Sequence, residues 1–83
     1  MFKLRISPKA EKRIKKLKKE YQIEIIEVLS EIKEDPMLGK PLSRELNGRF
    51  TYKFKAYRII YLVNLKDEVI DVLDAGHRGK IYN

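Results

Sequence analysis

The sequence predicts an α+β fold with the element order βααβββ, and three patterns along the chain carry that prediction. Phe2, Leu4 and Ile6 alternate with basic residues, as in a short half-buried strand. The segment that follows repeats apolar residues every three or four positions, which is typical of amphipathic helices. Residues 50–73 return to alternation and are rich in β-branched and aromatic residues. The chain has 83 residues, so we expect one domain over 1–83.

The helical region begins at Ser7-Pro8, an N-cap residue followed by proline at the first helical position. Two apolar stripes follow, formed by Ala10, Ile14, Leu17 and Tyr21 and then by Ile25, Val28, Leu29 and Ile32. Pro36 disfavours helix at Asp35, so the region ends there. We expect a break within 19–22 and therefore a helical hairpin. One long helix is the alternative.

An irregular connection and three strands complete the predicted fold. Residues 36–48 hold two prolines and two glycines, which indicates the connection. Phe50–Phe54 alternates, whereas Tyr57–Val63 is apolar almost throughout, as a central strand covered on both faces would be. Val69–Leu73 is the last strand, and we expect it to break at Gly76. The short turns between these strands predict a meander.

The charge favours a polyanionic partner. Lys and Arg number 19 against 12 Asp and Glu, a formal net charge of +7. Residues 3–19 and 40–58 are mainly basic, and residues 20–35 are mainly acidic, so the domain can orient itself on an anion. A lysine-rich surface that serves solubility or heat adaptation is the alternative.

Several site classes are excluded or disfavoured. Without cysteine, the chain has no disulfide, thiolate metal site or cysteine nucleophile. We expect no metal site and no cofactor, because His77 is the only histidine and Gly76–Gly79 lacks the pattern of a phosphate loop. No apolar run suits a signal peptide or a membrane span. We therefore expect a cytoplasmic protein that has no membrane partner.

Basic residues in three places predict a phosphate site at one edge of the sheet. Lys53 and Lys55 share a strand face, Arg58 begins the next strand, and the last strand is followed by Arg78, Lys80 and Tyr82. Fixed cations that converge there would bind phosphate. Each residue also has a simpler interpretation. The lysines are often solvated strand charges, and Arg58 could pair with Asp74 or Glu68.

His77 and Tyr82 could carry protons. Near arginines the pKa of a histidine falls, so that it can act as a base at neutral pH. The Tyr82 hydroxyl could serve as an acid or a hydrogen-bond donor. A structural histidine and a tyrosine that packs the chain terminus are the alternatives.

The runs GRFTYKFKAYRIIYLV and VLDAGHRGKIY resemble the RelE/ParE superfamily of type II toxins. Its most specific pieces here are YRIIY at 57–61 and GHR with a tyrosine four residues on, and the resemblance covers nearly the whole chain. It implies an antiparallel sheet with a two-helix hairpin packed on one face. It also implies an antitoxin that wraps the toxin. RelE-type members cut messenger RNA in the ribosomal A site without a metal, and ParE-type members target DNA gyrase.

The residues favour the RelE branch, an endoribonuclease whose partners would be the ribosome and messenger RNA. The resemblance carries catalytic roles to Arg58, Arg78 and Tyr82, and less securely to Lys53 and Lys55, because the short hairpin KFKAYR lets the register slip by two residues. His77 stands where some members have lysine. As RNA or phosphate contacts we add Lys55, Lys80, Arg49, Lys12 and Lys16. A gyrase inhibitor and a non-catalytic nucleic-acid-binding domain of the same fold remain alternatives.

Overall fold

The computed structural model describes residues 1–42 and 48–77, and within them it confirms the α+β class. Two helices and five strands are present there. In chain order the elements are β1 (Lys3–Ile6), α1 (Pro8–Lys15), α2 (Lys19–Glu34), β2 (Lys40–Pro41), β3 (Arg49–Phe54), β4 (Tyr57–Asn64) and β5 (Val69–His77). None of the helices in these two stretches is long and apolar enough to cross a lipid bilayer.

The strands form one sheet in the order β1-β5-β4-β3-β2. The predicted meander of β3, β4 and β5 is antiparallel and confirmed. The sheet as a whole is mixed rather than purely antiparallel, because β1 pairs with β5 in parallel at one edge. At the other edge β2 pairs with β3. Sequence alternation did not reveal β2, since a strand of two residues is too short to show a period.

The two helices form the predicted hairpin, but the break lies one turn earlier than predicted, at residues 16–18. The cause is a capping interaction from α2. The side-chain amide of Gln22 donates to the carbonyl oxygen of Leu17 at 2.8 Å, in the turn that ends α1. Tyr21, assigned from its spacing to the first helix, therefore belongs to α2. At the other end of α1, Ser7 is the predicted N-cap and accepts from the Ala10 amide.

The hydrophobic core lies between the helices and one face of the sheet. Apolar residues of α1 and α2 pack there against alternate residues of β3, β4 and β5. The residues of β4 that point to the helices are Tyr57, Ile59, Tyr61 and Val63. We call this the helix face. The opposite side of the sheet, called the outer face below, carries Arg58, Ile60 and Leu62 of the same strand.

A buried tyrosine fixes the connection before β2. The hydroxyl of Tyr61, whose side chain is fully buried, donates to the Pro36 carbonyl and accepts from the Gly39 amide at 2.9 and 2.8 Å. A side chain at Gly39 would approach the Thr51 carbonyl to 2.8 Å, so only glycine fits so close to β3. Leu38, the leucine of this segment, is 38% exposed and lies outside the core. Hydrogen bonds hold the segment instead.

Candidate functional site

Three of the predicted basic residues share the outer face. Arg49 and Lys53 lie on the same side of β3, four residues apart. Lys53 is directly opposite Arg58 of β4. Directly paired residues of antiparallel strands point to the same side, with Cβ atoms about 5 Å apart. Arg49 and Lys53 are exposed and Arg58 is half-buried. The structure thus brings Lys53 and Arg58 together as predicted, with Arg49 further along the same face.

A fourth cation, Lys40, joins this face from β2 and was missed by sequence reasoning. It pairs with Thr51, the residue between Arg49 and Lys53 on the same side of β3. A cavity of about 330 Å³ lies between the two strands, lined by Leu38, Gly39, Lys40, Thr51, Tyr52 and Lys53. The buried Thr51 hydroxyl makes no hydrogen bond in the part of the chain that the structure describes. Cations and a spare hydroxyl beside a cavity suit a phosphate-bearing ligand.

The carboxylates that could have paired with Arg58 are engaged elsewhere. Asp74 binds Lys9 and Arg13 of α1, and Glu68 binds the amino terminus. The residue opposite Arg58 on β5 is Gly76.

Lys55 does not share a face with Lys53, although strand alternation predicted that it would. It occupies the two-residue turn between β3 and β4 with φ 51°, in the left-handed region. Its ammonium group reaches Glu24 on α2 at 2.5 Å. The hydrogen bond that Lys55 donates to Glu24, together with the negative charge of Glu24, raises the pKa of Lys55. Lys55 is a charged contact to the helix side in this structure, apart from the cations of the outer face.

His77 also lies apart from Arg58 and Lys53. Its partner on β4 is Tyr57, which points to the helices and packs its ring 5.1 Å from that of Tyr21. The His77 and Tyr57 rings meet edge to face with centroids 6.0 Å apart. The strand extends past Gly76 to His77, beyond the predicted break. The imidazole is therefore on the helix face, and this arrangement gives it no direct route to a phosphate held by Arg58.

A bulge in β5 determines which face His77 takes. Ile60 pairs with Asp74, but the next residue, Tyr61, pairs with Val72, so Leu73 is extra. Contacts with α1 and its N-cap residue hold the bulge. The Ser7 hydroxyl donates to the Leu73 carbonyl at 2.9 Å, and the Asp74 carboxylate, whose side chain is 8% exposed, lies 3.1 Å from Nε of Arg13. Without the extra residue, the end of β5 would present the opposite face.

The other two predicted contacts, Lys12 and Lys16, lie on α1 and border a groove of about 670 Å³ between that helix and the end of β5. Pro8 and Leu17 of the same segment also line the groove, and His77 lines its strand side. The predicted cations are thus divided between the two faces of the sheet. Tyr57 is buried against α2, so its ring is not available on the outer face.

Arg78, Lys80 and Tyr82 lie outside the described residues, so their predicted roles rest on the sequence. Among residues 1–42 and 48–77, no three His, Cys, Asp or Glu side chains come close enough to hold a metal ion.

Comparison with known proteins decides the family. Residues 4–82 match the family described as the ParE toxin of type II toxin-antitoxin system, parDE. The chain belongs to this toxin family. That assignment places it in the RelE/ParE superfamily to which its sequence was related above.

Toxins of the RelE type are similar to this ParE-family chain in sequence and in fold. Toxin RelG of Mycobacterium tuberculosis is 34% identical over 53 residues, which cover 63% of this chain and 61% of RelG. The match thus spans about three fifths of this relative. The toxin-antitoxin complex RelBE2 from the same organism contains a chain with TM-score 0.83 and 26% identity, covering 93% of this chain and 98% of that one. A chain of the intact E. coli RelBE complex has TM-score 0.80 and 23% identity, with 93% and 96% covered, which shows the fold alone.

Proposed function

We propose that this toxin-family protein is a ribosome-dependent endoribonuclease that cuts messenger RNA without a metal ion, and that its partner is a cognate antitoxin. The observation that carries the proposal is the pairing of Lys53 with Arg58 on the outer face, with Lys40 and Arg49 beside them. Several fixed cations on one side of a rigid sheet match the charge of an RNA phosphate.

The proposed chemistry uses the ribose 2′-hydroxyl as nucleophile on the adjacent phosphate. Arg58 and Lys53 stabilise the negative charge that develops on the phosphate oxygens, and Arg78 adds a second guanidinium. Tyr82 is the proposed proton donor for the leaving 5′-oxygen, and a lysine of the outer-face cluster is the proposed base. His77 and Lys55, which point to the helix side, receive no step.

Two similarities support the type of activity and the partner. The similarity to the toxin RelG and to chains of the RelBE complexes extends over most of this chain. It is therefore not limited to the cations of the outer face. The RelBE2 and E. coli structures are toxin-antitoxin complexes, so we propose that a short antitoxin, encoded beside this gene, binds and neutralises the present chain.

The test is cleavage of a defined messenger RNA by the purified protein on translating ribosomes, with free RNA in parallel. We expect cuts only on ribosomes. Arg58→Ala and Lys53→Ala should each reduce the cleavage rate by 10²-fold or more, because they remove transition-state charge stabilisation. Arg78→Ala should do the same.

Lys55→Ala is the matched control, because it removes a neighbouring lysine that binds Glu24 instead. We expect it to retain the rate within about threefold. Equal losses in Lys55→Ala and Lys53→Ala would contradict the outer-face site. A folded, antitoxin-binding protein that makes no cut would refute the endoribonuclease.

A gyrase inhibitor is the second candidate, and the match to the parDE family favours it. Such a toxin acts by binding a protein, so single removals of Arg58 or Lys53 would lower affinity modestly without abolishing activity. Supercoiling of plasmid DNA by purified gyrase in the presence of the chain separates the two candidates.

A further inference from the structure

The groove between α1 and the end of β5 holds cations that the proposed reaction does not use. Three basic residues of α1 and the basic residue that caps its C-terminus line it: Lys9, Lys12, Arg13 and Lys16. Asp74 binds the first and third of these at its inner side. Lys12 and Lys16 are exposed, and no carboxylate among residues 1–42 and 48–77 pairs with either. The net charge of the groove is therefore positive after its internal ion pairs have formed.

The spacing of the two lysines suits a chain of anions. Lys12 and Lys16 are four residues apart, so they lie on the same side of α1, about 6 Å apart along its axis. Two like charges in this position repel each other, and a bound anion removes that cost. A polyanion with successive charges can contact both lysines at once.

The groove also offers apolar and aromatic surface. Pro8 and Leu17 line the helix side, and the exposed imidazole of His77 lines the strand side. A volume of about 670 Å³ is in the range of sites that enclose a small organic ligand. Single-stranded RNA presents phosphates together with unstacked bases, which pack against aromatic side chains.

From this arrangement we propose that the groove is a second RNA-binding site, in which Lys12 and Lys16 hold the phosphodiester backbone and a base packs against His77. The proposal rests on the proposed function in one respect, that RNA is the target. It gives His77 a role in RNA binding instead of proton transfer, on the face of the sheet opposite to Arg58.

The position of Gly76 favours RNA over an acidic protein segment. Gly76 lines the groove, and on the outer face it is the direct neighbour of Arg58. The two cationic surfaces thus meet around the end of β5. One continuous RNA strand that crosses this strand end would contact both the groove and the outer face. A short acidic peptide would occupy the groove and leave the cations of the outer face without a ligand.

His77 provides a specific probe, because the chain has one histidine and so one set of imidazole NMR signals. We would record them while adding an eight-residue single-stranded oligouridylate, and measure its dissociation constant by fluorescence anisotropy at several salt concentrations. The test variant is Lys12→Gln with Lys16→Gln. The matched control is Lys15→Gln on the same helix, whose lysine binds Glu11 and does not line the groove.

We expect the oligonucleotide to shift the His77 signals in the wild type and in Lys15→Gln, and not in the double variant. The double variant should bind roughly tenfold more weakly, and its log-log salt slope should be smaller by about 1.4, since each phosphate contact on a single strand contributes about 0.7. In Lys15→Gln the affinity should stay within about twofold.

Three results would overturn the proposal: His77 signals that do not move, an equal loss of affinity in the control, or poly-glutamate that shifts His77 where oligouridylate does not. Circular dichroism and thermal unfolding check that each variant is folded. Because the RNA is free, the outcome is independent of ribosomal cleavage. Binding without cleavage would refute the endoribonuclease and retain the groove, and the reverse would do the opposite.

Discussion

The two faces of the sheet are built from the same strands and yet differ in what covers them. On the helix face, alternate residues of β4 meet two helices, and Ile59 and Tyr61 are completely buried. On the outer face of the same strand, Arg58 and Leu62 are half-buried. One strand therefore packs its odd-numbered residues against the helices and presents a charge, Arg58, on the outer face, where Ile60 is also buried. Substitutions on the two faces should have separable effects. Those on the helix face should change stability, and those on the outer face should change the proposed RNA binding and cleavage.

The largest expected effect is on the helix face. Ile59→Ala removes a buried side chain between the sheet and the helices, and should lower the free energy of unfolding by about 3 kcal/mol. Leu62→Ala, three residues on, is the matched change on the outer face and should cost about 1 kcal/mol. Urea unfolding measures both. Equal losses would mean that the outer face is also core, and would break the comparison.

The next effect concerns the anchor of α1. Asp74→Ala leaves Arg13 and Lys9 without the buried carboxylate between them, and should cost about 2 kcal/mol, reduced by the partial exposure of both cations. The control is Asp71→Ala, whose partner Arg5 is largely exposed, and it should cost about 0.5 kcal/mol. The measurement is again urea unfolding. If the two variants agree, Asp74 is not an anchor.

A smaller effect tests the hydroxyl that links the helix face to β2. Tyr61→Phe leaves the Gly39 amide and the Pro36 carbonyl without their shared partner, and should cost about 1 kcal/mol. Since these bonds position the segment that carries Lys40, the variant should also weaken oligonucleotide binding by about twofold. Tyr57→Phe is the control for loss of a hydroxyl. Thermal unfolding and fluorescence anisotropy measure the two effects.

The smallest effect is a pH dependence from the helix face. Burial raises the pKa of the Tyr61 phenol above its ordinary value of 10.0, and does the same for Tyr57. The folded chain then keeps protons that the unfolded chain has lost, so the stabilising contribution is complete below about pH 10 and declines as the pH rises above it. Unfolding in urea between pH 9 and pH 11 measures the decline. In Tyr61→Phe the decline should be shallower, and an unchanged slope would contradict the assignment.

Sequence patterns predicted most of the fold because its main elements carry a clear period. The spacing of apolar residues from Ile25 to Ile32 fits a helix, and the apolar run from Tyr57 to Val63 fits a central strand. The break between the helices was predicted too late in the chain, because it depends on the hydrogen bond from Gln22 to Leu17. A capping contact of this kind does not change the spacing of apolar residues. The strand β2 has no pattern of its own and exists because Gly39 permits close approach to β3.

The candidate site was predicted less completely, because it depends on how residues divide between faces. Lys53 and Arg58 were placed together correctly, since they flank a short hairpin. Lys55 was misplaced because strand alternation was extended into a turn. His77 was grouped with Arg58 because the bulge at Leu73, which shifts the alternation by one residue, depends on contacts with α1 and not on local sequence.

The parallel pairing of β1 with β5 has a consequence for synthesis. The two strands lie far apart along the chain, and the ion pair between Arg5 and Asp71 joins residues 66 positions apart. During translation β1 emerges first and has no strand to pair with until β5 has left the exit tunnel. Both the sheet end that carries Gly76 and the groove beside it are completed only then. In a nascent chain of this protein, the groove between α1 and β5 should therefore form only after β5 has left the exit tunnel.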